Sequence, residues 1–283
     1  MEGTVLGRPI DARPLLGPER EGLLELLASL DAGEWAASTP CPAWSVHDLA
    51  VHLVHDDVRR LSAERDGHGG AWVSGASLQD LTIALDEVNR RWVAAVAPTL
   101  SSRLTCETLA WLAAPSAAHL SGLNPEDEDA TVSWAGPGPH PNWLDVAREF
   151  TERWVHQQQI REAVGRPGLM QREYVEPVVD TFARAMPASL PTRPLGTEVQ
   201  LRVSAPFERS WTVRSAASGW RFVEASVQPA AVVGLPAQTL WRRAVRMLSR
   251  QQARRDAHLE GDPEVTAALL DMRAAIVRDV EPS

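Results

Sequence analysis

TERWVHQQQIREAVGRPG, residues 151–168, sets a glutamate and a histidine one helical turn apart, in a segment that Gly165 and Pro167 close. At 100° per residue, with Glu152 at zero, His156 falls at about 40°, Val155 at about −60°, Ala163 at about 20° and Ile160 at about 80°. Carboxylate and imidazole therefore leave the helix from one side, and that side is otherwise mostly apolar. An ionised carboxylate in such surroundings is costly without a partner, so the pair calls for hydrogen bonds or a cation. Glu and His one turn apart can both reach one metal ion, and helix bundles build metal sites in this way. The spacing by itself also suits a plain surface or capping contact, because Glu-x-x-x-His recurs by chance.

A third donor has to come from another segment. The best source is DLAVHLVHDD, where His52 borders the face made by Leu49 and Leu53. His55 and Asp56 lie within about one turn of His52 and read as solvated or second-layer residues rather than ligands. Three ligands of His, Glu and His type leave a coordination position open, as catalytic zinc requires; a closed structural site uses four. His47 reads as structural, and His68, His119, His140 and His258 carry no assigned role. Trp44, Trp134, Trp143 and Trp154 read as core and loop anchors.

The chain has 283 residues, a net charge of −9 and 44% hydrophobic residues, the composition of a globular protein long enough for one large domain or two ordinary ones. Its acidity argues against a protein that coats nucleic acid or anionic membranes. The sequence shows no apolar run near the roughly 18 residues needed to span a bilayer and no secretory leader pattern, so the expected location is the cytoplasm. Cys41 and Cys106, the two cysteines, read as unpaired thiols. All 28 basic residues are arginine. Without lysine, Schiff-base and P-loop chemistry are excluded.

Helical periodicity covers 17–35, then a segment that Ser45 and Asp48 open as a capping-box pair and Gly67 closes, then 77–97 up to Pro98. CETLAWLAAPSAAHL has helical spacing inside a harder region, 99–142. Helices are expected over about 143–164 and 173–186. After the linker-like MPASLPTRPLG the pattern alternates, in EVQLRV, RSWTVRS and GWRFVEA, as strands do. One helix is expected over AQTLWRRAVRMLSRQQ, and a short strand, a Gly-Asp-Pro turn and a last helix over HLEGDPEVTAALLDMRAAIV. The arginines of WRRAVRMLSRQQARR read as a solvated face, with an acidic-ligand site as the alternative. The expected class is α+β, a helical region over 1–190 and a smaller α+β region over 191–283.

EWAASTPCPAWSVHDLAVHLVHDD resembles the N-terminal region of mycothiol-dependent maleylpyruvate isomerase-like proteins, in the DinB-like metal-binding superfamily. The shared pattern is a Trp, a Thr/Ser-rich turn, Pro-x-Trp and a helix whose His is a metal ligand. The resemblance maps that ligand onto His52, and the family's Glu-x-x-x-His onto Glu152 and His156. It implies a DinB-like four-helix bundle with a C-terminal sterol-carrier-like domain, a divalent metal (zinc by default), and mycothiol or another small thiol as cosubstrate. Two departures accompany it: relatives carry Asp where this chain has Gln159, and the 99–142 segment is longer.

Three readings follow. The first is a metal-dependent enzyme that activates a low-molecular-weight thiol for isomerisation of, or transfer to, a small electrophile, with arginines of the second region suited to a carboxylated substrate. The second is a thiol-independent enzyme that uses metal-bound water. The third is a non-catalytic protein in which Asp56 or His55 completes the coordination.

Overall fold

The computed structural model describes residues 4–69, 73, 75–224 and 228–275. In chain order the helices are α1 (Leu16–Ala28), α2 (Ala32–Trp35), α3 (Val46–Arg60), α4 (Leu78–Val96), α5 (Ser102–Gly122), α6 (Asn142–Ala163), α7 (Arg172–Ala183) and α8 (Met186–Ser189). Four strands follow, β1 (Glu198–Val203), β2 (Arg209–Ala216), β3 (Gly219–Val223) and β4 (Ala231–Leu235), then α9 (Ala237–Ala244), α10 (Arg250–Asp256), β5 (His258–Gly261) and α11 (Pro263–Leu270). The class is α+β, as the switch from helical to alternating periodicity implies.

Two compact units share the chain. One comprises Asp11–Asp127 and Val146–Tyr174, the other Met1–Ile10, Glu128–Asp145 and Val175–Ser283. In the first, Ser45 starts α3 by accepting from the Asp48 amide while Asp48 accepts from the Ser45 amide. That reciprocal pair satisfies two otherwise orphan donors, worth about 1 kcal/mol. A π-helical turn, Leu61–Arg65, extends α3 before Gly67 turns the chain at φ +64°. Ser77 and Ser101 cap α4 and α5 by accepting from the Asp80 and Leu104 amides. The core of this unit joins Leu23, Leu26 and Leu27 of α1, Leu49 and Leu53 of α3, Leu109 and Leu112 of α5, and Ile160 of α6. Val51, on another side of α3, meets Val93 of α4. Each leucine so buried contributes about 1.5–3 kcal/mol.

α6 is buried on nearly all sides. Phe150, Trp154 and Ile160 are enclosed, and so are Thr151, Arg153, Gln157, Gln158 and Gln159. Its polar residues find partners inside: Gln157 and Gln158 donate to the carbonyls of Glu19 and Gly168. Gly165, at φ +65°, ends the helix as expected.

In the other unit the five strands form one mixed sheet in the order β3-β2-β1-β4-β5, with β1 and β4 parallel and the other pairs antiparallel. Val199, Leu201 and Val203 point to one buried face, and Gln200 on the opposite face pairs with Thr212. α11 packs against β4.

Four expectations need correction. The 17–35 helix is two helices, because Asp31 restarts the chain with its own capping box to Glu34. The helix expected over 237–252 breaks between α9 and α10, where Arg246 takes φ +62°. Its arginines form a solvated face only in part: Arg243 and Arg246 donate to the carbonyls of Leu270, Asp271 and Met272, whereas Arg250, Arg254 and Arg255 are exposed. The last helix stops at Leu270; Ile276 and Val277 of that stretch lie outside the described residues.

Candidate metal centre

α3 and α6 bring His52 and His156 together, with Glu152 beside His156. The His52 and His156 rings lie edge to face with centroids 4.9 Å apart. Glu152 Oε2 stands 3.8 Å from His156 Nε2 across one turn of α6, and Asp56 Oδ2 stands 3.2 Å from His52 Nε2 across one turn of α3. The sequence placed Glu152 on a buried face, yet its side chain is only partly enclosed, 34% exposed against 13% for His156. His55 is buried one turn along and stacks on Trp92 at 4.5 Å. His52, His55 and Asp56 each offer a ligand atom, and those atoms lie within 4.8 Å of one another.

The electrostatics divide the two histidines. Burial, and then the neighbouring His156, His55 and Arg59, push His52 well below its usual value, so it is neutral at pH 7. For His156 burial pulls the same way, but the Cys41 contact and the Glu152 and Asp56 carboxylates outweigh it and raise the pKa to about 9. Burial pushes both Asp56 and Glu152 upward. His156 therefore carries a proton where two carboxylates converge, which is a place suited to positive charge.

The donor chemistry fits a divalent ion. Two carboxylates with one imidazolium leave a formal −1, whereas a dication replacing that proton brings the group to zero. The buried Nδ1 of His52 has no hydrogen-bond partner among the described residues, a cost that a cation would remove. Neutral imidazole and carboxylate suit zinc and its first-row neighbours.

Gln159 and a turn complete the surroundings. Gln159 Oε1 accepts from His156 Nδ1 at 2.8 Å and from the Cys41 thiol at 3.1 Å. Cys41 sits in a tight turn in which Thr39 N donates to Trp44 O, Trp44 N donates to Cys41 O, and Cys41 N donates to Thr39 Oγ1. The same turn lays Trp44 against His52, with ring centroids 5.0 Å apart.

His52, Glu152, His156, His55, Asp56 and Gln159, all named from the sequence, lie in this neighbourhood, and Cys41, read from the sequence as an unpaired thiol, lies there too. Cys41 sits two residues after Thr39, in the turn that delivers α3. His47 keeps a structural role, its ring edge-on to Trp35 and within 3.3 Å of Thr105 Oγ1. His140, assigned no role, is buried and accepts from the Val132 amide.

Among the described residues no helix is long and apolar enough to cross a membrane. Residues 16–161, just over half the chain, match the family model described as mycothiol maleylpyruvate isomerase N-terminal domain. Two uncharacterized proteins of Mycobacterium tuberculosis, one from strain CDC 1551 and one from strain H37Rv, are each 28% identical over 150 residues, 53% of this chain and 55% of theirs. The chain spans about half the length of these curated relatives. Among solved structures, the mycothiol-dependent maleylpyruvate isomerase and a histidine-to-alanine mutant of it share the fold, each with TM-score 0.52, 15% identity, and coverage of 93% of this chain and 98% of theirs. The match across residues 16–161 includes both site helices, and on it the chain belongs to the mycothiol maleylpyruvate isomerase N-terminal domain family.

Proposed function

We propose that this protein is a divalent-metal-dependent enzyme that activates a low-molecular-weight thiol, of the mycothiol kind, for isomerisation of or transfer to a small electrophile. His52, Glu152 and His156 would hold the metal, zinc by default. The observation that carries this reading is the convergence of His52 and His156, ring centroids 4.9 Å apart, with Asp56 and Glu152 beside them, where the Cys41 contact and then those carboxylates raise His156 to about pKa 9 while His52 stays neutral. Support also comes from the family and from the donors' place on two helices of one core.

A bound divalent ion would supply Lewis acidity, which lowers the pKa of a thiol. Gln159 holds the Nδ1 proton of His156 and leaves Nε2 toward Glu152. Asp56, its affinity for protons raised by burial, stands ready to take the proton that an incoming thiol releases. Trp44 covers one face of His52 and keeps water off it. The thiolate adds to one carbon of an activated C=C bond, which becomes single and rotates; departure of the thiolate restores the double bond. In a transferase the adduct is the product. Residues 191–283 are read as a sterol-carrier-like module that follows a metal-binding region over 1–190.

The close trio of His52, His55 and Asp56 favours a second reading, a metal held by these three side chains as a structural clip. Metal content by plasma mass spectrometry separates the outcomes, on the wild type and His156→Ala purified without added metal. Near-stoichiometric metal lost in the variant supports the proposed ligands; metal retained in the variant favours the trio. Negligible metal in both proteins, with stability unchanged by added zinc, sinks both readings. A screen of thiols with electrophiles then tests the chemistry, and turnover without thiol would point to metal-bound water instead.

A further inference from the structure

Arg59 and Arg60 are adjacent on α3, and the protein treats them in opposite ways. Arg60 is buried and answered, by Glu64 at 2.6 Å and by Glu149 at 2.8 Å. Arg59 is half-buried, and among the described residues it has neither an ion pair nor a hydrogen bond; its Nε is enclosed without a partner. With His52 set at zero around the helix, Asp56 falls at about 40°, Arg59 at about −20°, His55 at about −60° and Val51 at about −100°. Val51 meets Val93 of α4, and His55 stacks on Trp92 of α4. Arg59 therefore leaves α3 between the metal donors and the side that α4 covers.

A guanidinium in that place works against a cation. Its charge disfavours the protonated forms of His52 and His55, and it would repel a divalent ion in the same way. A half-buried charge without a countercharge also costs the fold free energy. A ligand that brings an anion removes both costs, and an arginine takes a carboxylate through two parallel N–H donors. The α4 side offers a further orphan, since the enclosed Trp92 Nε1 has no hydrogen-bond partner among the described residues, and buried indole N–H groups are rarely left so. Leu85 and Val88 share the face of Trp92, at about 20° and −40° from it, and are only half-buried. The strip thus sets unpaired donors beside apolar surface for the carbon body of a ligand. We propose that Arg59 is the anion-recognising residue of the site, binding the carboxylate of the small electrophile along the α3–α4 strip, next to the metal donors. The inference rests on the reading of this site as one that takes a small electrophile beside a metal.

The test titrates the full-length protein, with and without zinc, by ligand-observed NMR. The probes are two unsaturated acids, cinnamate and fumarate, and their neutral amides, cinnamamide and fumaramide. Wild type should bind the acids more tightly than the amides. Arg59→Gln should weaken acid binding about 10- to 100-fold, the worth of charge-assisted hydrogen bonds, and leave amide binding unchanged. Arg59→Lys keeps the charge but loses the planar fork, so its loss should be smaller. Arg254→Gln, at an exposed arginine of the other unit, should change nothing. The urea midpoint of Arg59→Gln should match or exceed that of wild type, because no protein partner is lost; a clear fall would mean that Arg59 serves the fold and would overturn the proposal. Acids bound no better than amides, or equal losses for acid and amide in Arg59→Gln, would overturn it as well. The two readings fail separately: a wild type that holds no zinc yet shows Arg59-dependent acid binding sinks the metal and keeps the anion site, whereas zinc held without Arg59 dependence does the reverse.

Discussion

Asp56 and Asp57 are neighbours on α3, about 100° apart around its axis, and they live in opposite electrostatic worlds. Asp57 is 1% exposed and fully answered: Arg20 of α1 donates at 2.8 Å, Arg153 of α6 at 2.8 Å and Ser116 of α5 at 3.0 Å. One carboxylate thereby ties four helices together. Asp56 meets the neutral His52 and shares its surroundings with Glu152 and His156, and burial raises its affinity for a proton. The knot at Asp57 holds the helices in register, so that the group at Asp56 can keep charge in deficit. Both clusters are polar and largely enclosed; they differ in whether the protein has supplied every partner.

The largest expected effect breaks that contrast at Asp57. Asp57→Leu leaves the Arg20 and Arg153 guanidinium groups buried without their countercharge, which costs about 3–5 kcal/mol. Urea unfolding should show the loss as a fall in midpoint. Asp56→Asn should change stability by less than about 1 kcal/mol, because it removes a carboxylate that burial already disfavours. If the two variants unfold at the same urea concentration, the division into a structural knot and a functional deficit is wrong.

The second effect concerns pH. The His156 pKa is raised from 6.5 to about 9 in the folded protein. Its protonation therefore stabilises the metal-free fold fully below pH 6.5, and that contribution fades as pH rises through about 9. The ceiling is about 3 kcal/mol, reduced by whatever solvent reaches the ring. Thermal unfolding of metal-free protein from pH 6 to 9.5 should show a decline that His156→Gln lacks. Metal binding at pH 7.5 should release close to one proton, visible as a buffer-dependent heat in titration calorimetry. A pH profile shared by wild type and His156→Gln would place the positive charge elsewhere.

Much of the site was legible because its donors recur at helical spacing. Glu152 and His156 share a face by angle alone, and Ser45 with Asp48 announces the start of the helix that carries His52. What could not be read was the far side of α6. Gln157, Gln158 and Arg153 are each buried against a partner that arrives from another segment, Glu19, Gly168 or Asp57. Amphipathic reasoning assigns polar residues to water, and a central helix breaks that assumption whenever long-range hydrogen bonds replace water. The Cys41 contact was not legible for the same reason, since its partner lies 118 residues away. The break at Arg246 escaped because a left-handed arginine is held by carbonyls of residues 271 and 272, which local propensity does not see.

The smallest effect sharpens the contrast at the turn before α3. Ala43 adopts φ +66° between Pro42 and Trp44, a conformation that crowds Cβ against the following carbonyl. The turn tolerates this because Thr39 and Trp44 bond across it. Ala43→Gly removes the crowding but gives the unfolded chain more freedom, so the net gain should be about 0.5–1 kcal/mol. Gly165→Ala, at φ +65° where α6 ends, should lose a similar amount. Thermal melts of the two variants should therefore move in opposite directions. If Ala43 is strained only to present Cys41 and Trp44, zinc affinity should stay unchanged in the glycine variant, because the cross-turn bonds still fix both residues. A glycine variant that gains stability but loses zinc affinity would mean that the rigidity of Ala43, and not the hydrogen-bonded turn, holds the site together.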